Sequence, residues 1–295
     1  MHYSLKKNIL LQGSIANNNR MKSNKLFYGF LILTLFIYSC APKPFADTNK
    51  IYYKQARDFA NIIASAPKDS VRADSLKYPF YNAYTTNFGM RKPNMVIIHY
   101  TAQNSCNQTI KTFTTPAREV SAHYVICKDG TLHHMLNDYL RAWHAGLSKW
   151  GNNSDINSSS IGVEIDNNGN DSFSLAQLNT LYGLLAFLKK TYNIPAANFI
   201  GHSDVAPARK IDPGIFFPWK ALSEKGYGNW YGDTTGIILP ADFNDLYALR
   251  IIGYDISNLS AATIAFRQHF LANANAGELN EREKKVLHVL TKKYL

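Results

Sequence analysis

The chain has 295 residues, of which 46% are hydrophobic and 18% are charged, a composition that is typical of globular proteins and excludes disorder of the whole chain. Its formal net charge is +11. Residues 1–39 hold five Lys or Arg and no Asp or Glu, and subtracting these five charges leaves +6 for the rest. Because no run of five or six basic residues is present, we expect no nucleic-acid partner.

The first 39 residues have the pattern of an export signal. A short basic stretch, Met21–Lys25, precedes the apolar run LFYGFLILTLFIYS at 26–39, which is short for a bilayer span. The tetrapeptide IYSC at 37–40 resembles a bacterial lipobox, in which the signal is cut before a lipidated cysteine. We therefore predict that Met21 is the true start and that Cys40 carries a lipid, with an uncleaved anchor as the alternative.

Four segments after the signal are predicted to contain strands, and a long helix separates the last two. The strand segments are NMVIIHY at 94–100, the two runs around Asp129-Gly130 within 121–136, SIGVEID at 160–166 and NFIG at 198–201. The helix at 174–195 begins with Ser174 and Gln177 as a capping box and repeats its leucines at helical spacing. Strands that alternate with such a helix predict an α/β sheet.

The pattern changes toward both ends of the chain. Residues 40–79 are predicted to form a tether with one short helix at 52–65, followed by a dense domain at 80–230. The turn-rich stretch at 226–236 is typical of a linker. Residues 237–295 are then predicted to form a small module of three helices, at 243–255, 260–274 and 278–295.

Only Cys106 and Cys127 follow Cys40 in the sequence. Cys127 belongs to the apolar run YVIC, whereas Cys106 lies in a polar segment, so their positions alone do not pair them. A disulfide and two separate thiols both fit, and we favour separate thiols slightly.

Three side chains offer the ligands of a catalytic zinc site, which are His99, His202 and Asp212. Each histidine lies near the end of a predicted strand, and prolines in GHSDVAPARKIDPG at 201–214 favour a loop over a continuous helix. Two imidazoles and one carboxylate leave a fourth zinc position open for water. Asp204 competes with Asp212 as the carboxylate, although it also suits a turn. A zinc finger is excluded because the chain has no CxxC or CxxH.

Five motifs in chain order carry a resemblance to a known family. They are VIIHYTA at 96–102, SAHYVICKDG at 121–130, RAWHAG at 141–146, SIGVEID at 160–166 and GHSDVAPARKIDPG at 201–214. Together they resemble the zinc-dependent N-acetylmuramoyl-L-alanine amidases of the type 2 class, which share their fold with the peptidoglycan recognition proteins. The C-terminal module, more loosely, is similar to a small helical peptidoglycan-binding module. The combination looks most like the outer-membrane lipoprotein amidases.

The resemblance implies a fold, a reaction and a set of site residues. The fold would be a mixed central sheet flanked by helices, with the small all-helical module after it. The zinc ligands would be His99, His202 and Asp212. Glu164 would be the acid/base for the attacking water, and Lys210 the cation beside the developing oxyanion.

The resemblance also implies partners and a location. The substrate would be peptidoglycan or a muropeptide, cleaved between N-acetylmuramic acid and L-alanine, and we expect a monomer anchored to the outer membrane and facing the periplasm. Substrate-binding candidates at matching positions are His123, Trp143, His144 and Arg209. His123 and His144 would lie either on the substrate side or behind the ligands, and Trp143 could equally pack inside the domain. The alternative function is a non-catalytic peptidoglycan-binding or wall-tethering lipoprotein. It is disfavoured because all three ligand positions are intact.

Overall fold

The computed structural model describes residues 44–64 and 90–295, and the chain divides into two compact units between Asn82 and Ala83. The predicted export signal, Cys40 and about half of the tether lie outside the described residues. The first unit contributes one helix, α1 (Ala46–Ala64), which overlaps the short helix predicted at 52–65 and begins six residues earlier. Within the described ranges, no helix is long and apolar enough to cross a membrane.

The second unit is built on a five-stranded mixed sheet, as predicted. Its strands are β1 (Met95–Tyr100), β2 (Tyr124–Ile126), β3 (Leu132–His134), β4 (Ser160–Ile165) and β5 (Phe199–Gly201). They are ordered β3-β2-β4-β1-β5. The β2–β3 hairpin is antiparallel, and the β2–β4, β4–β1 and β1–β5 pairs are parallel. The carboxyl ends of four strands therefore lie along one edge of the sheet, where functional side chains of such folds gather.

Helices cover this sheet, and the longest has the predicted start. They are α2 (Cys106–Phe113), α3 (Ile156–Ser159), α4 (Leu175–Tyr192), α5 (His202–Val205) and α6 (Trp219–Glu224). Ser174 and Gln177 form the capping box of α4, and Asn193 ends this helix in the left-handed conformation. The segment after β5 was expected to be a strand end and a loop, and it makes one helical turn, α5, before Pro207.

The two faces of the sheet have different roles. On β4, Ile161, Val163 and Ile165 point into the core beneath α4. Because side chains alternate along a strand, Ser160, Gly162 and Glu164 face the other side. The strand therefore supplies packing on one face and polar or small side chains on the other.

Three helices follow the sheet region within the same compact unit: α7 (Asp245–Ile252), α8 (Leu259–Leu271) and α9 (Glu281–Thr291). Each begins at an asparagine whose side chain accepts a backbone N–H, which satisfies a free donor of the first turn. They enclose a core that includes Leu249, Phe266 and Leu287. Trp230, from the stretch predicted as a linker, packs against both this core and the sheet core.

Cys106 and Cys127 form a disulfide, with their Cα atoms 5.3 Å apart. The slight preference for separate thiols is therefore wrong. The reason is that Cys106 begins helix α2, a helix missing from the sequence prediction, and α2 packs beside β2. Sequence spacing does not reveal that proximity. Disulfides form and persist in oxidising compartments.

We expect the double variant Cys106→Ala, Cys127→Ala to lose about 3 kcal/mol of unfolding free energy, because the cross-link restricts a loop of moderate length in the unfolded chain. Guanidinium unfolding of the wild type with and without reductant, and of the double variant, measures this loss. Equal midpoints for the oxidised wild type and the variant would contradict it.

Candidate metal centre and active site

The three predicted ligands converge at the carboxyl edge of the sheet. Nδ1 of His99 and Nδ1 of His202 each lie 3.0 Å from Oδ2 of Asp212, and one ligand atom from each residue lies within 4.8 Å of the other two. All three residues are buried. The sheet explains why the two histidines meet: Ile98 of β1 is in register with Gly201 of β5, and a histidine follows each of these residues in the chain.

The tautomer of His202 follows from the hydrogen bond of its second nitrogen. Nε2 of His202 lies 3.1 Å from the backbone carbonyl of Ala145. A carbonyl only accepts hydrogen bonds, so Nε2 carries a proton, and the tautomer able to bind a metal is the one in which Nδ1 presents a lone pair. That lone pair faces Asp212.

A chain of hydrogen bonds fixes His99 in the same tautomer, with its proton on Nε2. The hydroxyl of Ser160 donates to the carbonyl of Ile156 at 2.6 Å, so its oxygen accepts from Nε2 of His144 at 3.1 Å. Nδ1 of His144 is therefore an acceptor, and Nε2 of His99 donates to it at 3.1 Å. Nδ1 of His99 is left with a lone pair, which also faces Asp212.

This arrangement fits a metal cation. In these tautomers two imidazole lone pairs and one carboxylate oxygen converge on one point, which a cation can occupy. Burial, followed by the neighbouring His202, lowers the pKa of His99 to about 4, so its imidazole is neutral near pH 7. Two nitrogens and one oxygen with a further position open are the donor set of a catalytic metal site. Asp204 points elsewhere, and Asp212 is the carboxylate that joins the histidines.

Glu164 lies beside the ligands because β1 and β4 are paired in register, with His99 opposite Glu164. Its Oε1 is 3.9 Å from Nδ1 of His99. Its Oε2 is buried and has no hydrogen-bond partner among the described residues. Burial, and then the charge of Asp212, raise the pKa of Glu164 well above its usual range, while Lys210 lowers it. The carboxyl group is therefore suited to exchange a proton with a molecule at the centre.

Lys210 and Arg209 have different roles. The charge of Lys210 is close enough to lower the pKa of both His99 and Glu164. The guanidinium of Arg209 instead donates to the backbone carbonyls of Ala145 and Leu147. Lys210 thus supplies positive charge to the site. Arg209 stabilises a neighbouring loop, and it does so with the guanidinium N–H groups that would otherwise be available to a substrate.

Two of the predicted substrate contacts lie behind the site. His123 is fully buried: its Nδ1 accepts the N–H of Gly162 at 3.1 Å, and its Nε2 donates to the carbonyl of Leu140 at 3.1 Å. His144 is buried and uses both nitrogens internally, as described above. The substrate-side placement is therefore wrong for both histidines, because neither ring offers a free polar atom, and the alternative placement behind the ligands is the one observed. Trp143 is 53% exposed and stays a candidate.

Ser160 and Gly162 have roles at the site that were not predicted from the sequence. A Cβ at Gly162 would lie 2.5 Å from Cγ of His144, so glycine provides the space that this ring occupies. The signal was present in SIGVEI, where Ser, Gly and Glu alternate with Ile, Val and Ile. A small and polar face on an otherwise buried strand indicates a site.

We expect the stability of the protein to fall as the pH drops from 6.5 to 4, in part through His123. Burial lowers the pKa of His123 to about 4, with the carbonyl of Leu140 partly opposing, so between pH 4 and 6.5 the unfolded chain binds more protons than the folded one. His123 contributes up to about 3 kcal/mol to this pH dependence. The variant His123→Asn should show a smaller slope of unfolding free energy against pH, measured by denaturant titration.

An unchanged slope in His123→Asn would contradict the assignment.

The fold and the site define a class, the mixed α/β proteins with two histidines and a carboxylate at the carboxyl edge of the sheet. A model of the N-acetylmuramoyl-L-alanine amidase family matches residues 89–215. The chain is 29% identical over 231 residues to N-acetylmuramoyl-L-alanine amidase AmiD of Escherichia coli K12, covering 68% of this chain and 83% of AmiD. It is 37% identical over 102 residues to 1,6-anhydro-N-acetylmuramyl-L-alanine amidase AmpD of Haemophilus influenzae, covering 34% of this chain and 55% of AmpD.

A solved structure shows the same relationship over a greater length. AmpDh3 of Pseudomonas aeruginosa, in complex with an anhydromuramic pentapeptide, is 31% identical with a TM-score of 0.62, covering 74% of this chain and 99% of that one. This chain belongs to the type 2 N-acetylmuramoyl-L-alanine amidase family, and it is an enzyme of that class.

Proposed function

We propose that the protein uses zinc to hydrolyse the amide bond between N-acetylmuramic acid and L-alanine in peptidoglycan-derived muropeptides, during cell-wall turnover or recycling. The observation that carries this proposal is the convergence of His99 Nδ1, His202 Nδ1 and Asp212 Oδ2 beside the unpartnered Oε2 of Glu164. Metal ligands and a buried proton carrier at one point are what amide hydrolysis by water requires.

The ligand set supports zinc as the ion. His99, His202 and Asp212 would hold it, since two imidazoles and a carboxylate with an open position are the ligands of catalytic zinc. The chemistry that zinc supplies when bound is Lewis acidity toward water and toward the scissile carbonyl. The hydrogen bonds of His144 and of the Ala145 carbonyl keep both imidazoles in the form that can bind the ion.

The protein's own groups then move protons and stabilise charge. Glu164 takes a proton from the attacking water at its buried Oε2 and passes it to the departing nitrogen of L-alanine. Lys210 places its positive charge near the oxyanion that develops on the lactyl carbonyl. Burial of the site strengthens the electrostatic interactions of both Glu164 and Lys210, because water does not screen their charges.

The relatives suggest the kind of substrate. The structure of AmpDh3 contains an anhydromuramic pentapeptide, and a structure of AmiD, 25% identical with a TM-score of 0.62, contains anhydro-N-acetylmuramic acid-L-Ala-D-gamma-Glu-L-Lys. We propose that this chain also accepts muropeptides with an anhydro sugar. The exposed indole of Trp143 is the candidate contact for that substrate.

We further propose that the protein is a lipoprotein anchored through Cys40 to the outer membrane and facing the periplasm. The basic Met21–Lys25 stretch, the apolar run and IYSC support an export signal with lipidation. The Cys106–Cys127 disulfide is consistent with an oxidising compartment.

Mass spectrometry of muropeptides digested by the full-length protein in detergent tests the proposal. We expect products with a free L-alanine amine, which disappear with a chelator and return with added zinc. Restoration by another divalent metal but not by zinc would overturn the choice of ion. Failure of a folded protein to release any product would favour the non-catalytic, wall-binding alternative.

A further inference from the structure

Helix α8 of the C-terminal segment reaches the backbone that carries two of the ligands. The side-chain amide of Gln268 donates to the carbonyl of Ile211 and, at 3.4 Å, to the hydroxyl of Ser203. Ile211 immediately precedes Asp212, and Ser203 immediately follows His202. Gln268 is 4% exposed, so this one amide bridges the two ligand-bearing segments inside the protein.

The next residue on α8, His269, contacts the helical turn that begins at His202. Nδ1 of His269 donates to Oδ2 of Asp204 at 2.7 Å, and the same oxygen accepts the N–H of Gly201 at 2.7 Å. The hydroxyl of Tyr254 donates to the other oxygen of Asp204 at 2.7 Å. Asp204 is fully buried, and Gly201 directly precedes His202.

Packing fixes the imidazole that makes this contact. The ring of Trp219 stacks on His269 with centroids 3.9 Å apart and an angle of 12°. A side chain at Gly201 would meet the same indole at 3.1 Å. The turn that begins with His202 is therefore enclosed between α8 and the indole, with its buried carboxylate fully paired.

These contacts matter because neither His202 nor Asp212 lies on a paired strand. His202 follows the last residue of β5, and Asp212 lies on a loop beyond Pro207. One backbone hydrogen bond, from Ser203 N–H to the carbonyl of Asp212 at 2.8 Å, joins the two segments directly. Metal ligands must be held within about 0.5 Å of the binding geometry, and groups that support ligands set metal affinity.

We propose that Gln268 and His269 are positioning residues for the metal centre, so that the C-terminal helical segment is part of the scaffold of the active site. This inference rests on the proposed metal-dependent function. It adds to that function two residues that lie beyond the matched family region, which ends at residue 215.

The test measures zinc affinity by competition with a chromophoric chelator, on full-length protein in detergent, together with the visible spectrum of the cobalt-substituted form. Gln268→Met keeps the length of the side chain and removes its donor. We expect this variant to bind zinc 10–100-fold more weakly and to show a changed cobalt spectrum. His269→Asn, which can still donate to Asp204, should retain more affinity than His269→Leu.

The matched control is Thr291→Val, which removes a buried side-chain hydrogen bond to the carbonyl of Leu287 within α9, away from the ligands. Its zinc affinity should equal that of the wild type. Wild-type affinity and spectrum in Gln268→Met, or an equal loss in Thr291→Val, would overturn the inference. If Gln268→Met does not fold, equal zinc affinities in the two His269 variants would overturn it.

The two proposals fail in different ways. A wild-type protein that binds no zinc refutes the metal-dependent function and this inference with it. A wild type that binds zinc and releases L-alanine peptides, with Gln268 and His269 variants of unchanged affinity, refutes only the positioning role.

Discussion

Replacing His202 by Ala is expected to remove zinc binding and to lower kcat/KM by about 10³-fold or more, because the Lewis acidity of a bound metal contributes several kcal/mol to the transition state. The fold should survive, since a small side chain at this buried edge leaves β5 and its pairing with β1 intact. Zinc content by atomic absorption and release of L-alanine peptides from a muropeptide measure the two effects.

The comparison variant for this experiment is His288→Ala, which removes a histidine from helix α9. It should keep full zinc content and activity. Undiminished hydrolysis in His202→Ala would refute the assignment of the ligands.

Replacing Glu164 by Gln is expected to lower kcat by about 10²–10⁴-fold while zinc still binds, because an amide has the shape of the carboxyl group but carries no transferable proton at that position. Since burial raises the pKa of Glu164 well above its usual range, a charge there is unfavourable, and the neutral amide should not reduce stability. Steady-state kinetics at equal zinc content, with thermal unfolding of both proteins, measure these expectations.

An exposed Glu provides the control, because Glu224→Gln on α6 alters charge in the same way away from the site. If Glu164→Gln retained activity within about tenfold of the wild type at full zinc occupancy, Glu164 would not be the proton carrier.

Local patterns predicted most of the fold. The continuous apolar runs gave β1, β4 and β5, the Asp-Gly pair gave the hairpin, and the capping box gave the start of α4, because each depends on residues close in sequence. Helix α2 was missed because CNQTIKTF has few apolar residues to reveal its period. The disulfide was missed together with this helix, since Cys106 and Cys127 are 21 residues apart in the sequence.

The sequence predicted those site residues that lie within local motifs, but not the contacts between distant parts of the chain. His99, His202 and Asp212 follow strand ends or a proline-bound loop, and motif spacing suggested that they meet. Which way a ring faces depends on tertiary contacts, so the sequence left open whether His123 and His144 face the substrate, and in the structure each is enclosed. The contacts of Gln268 and His269 join residues more than 50 positions apart, and no local pattern encodes them.

The buried carboxylate of Asp204 limits how this enzyme can be recombined with other domains. It lies inside the region that the family model matches, but two of its three partners, Tyr254 and His269, lie outside it. Joining residues 89–215 to a foreign C-terminal segment would leave this carboxylate short of donors, and breaking such a buried pair costs about 3–5 kcal/mol. Exchange of the catalytic region between homologues should therefore succeed only when its helical partner is transferred with it.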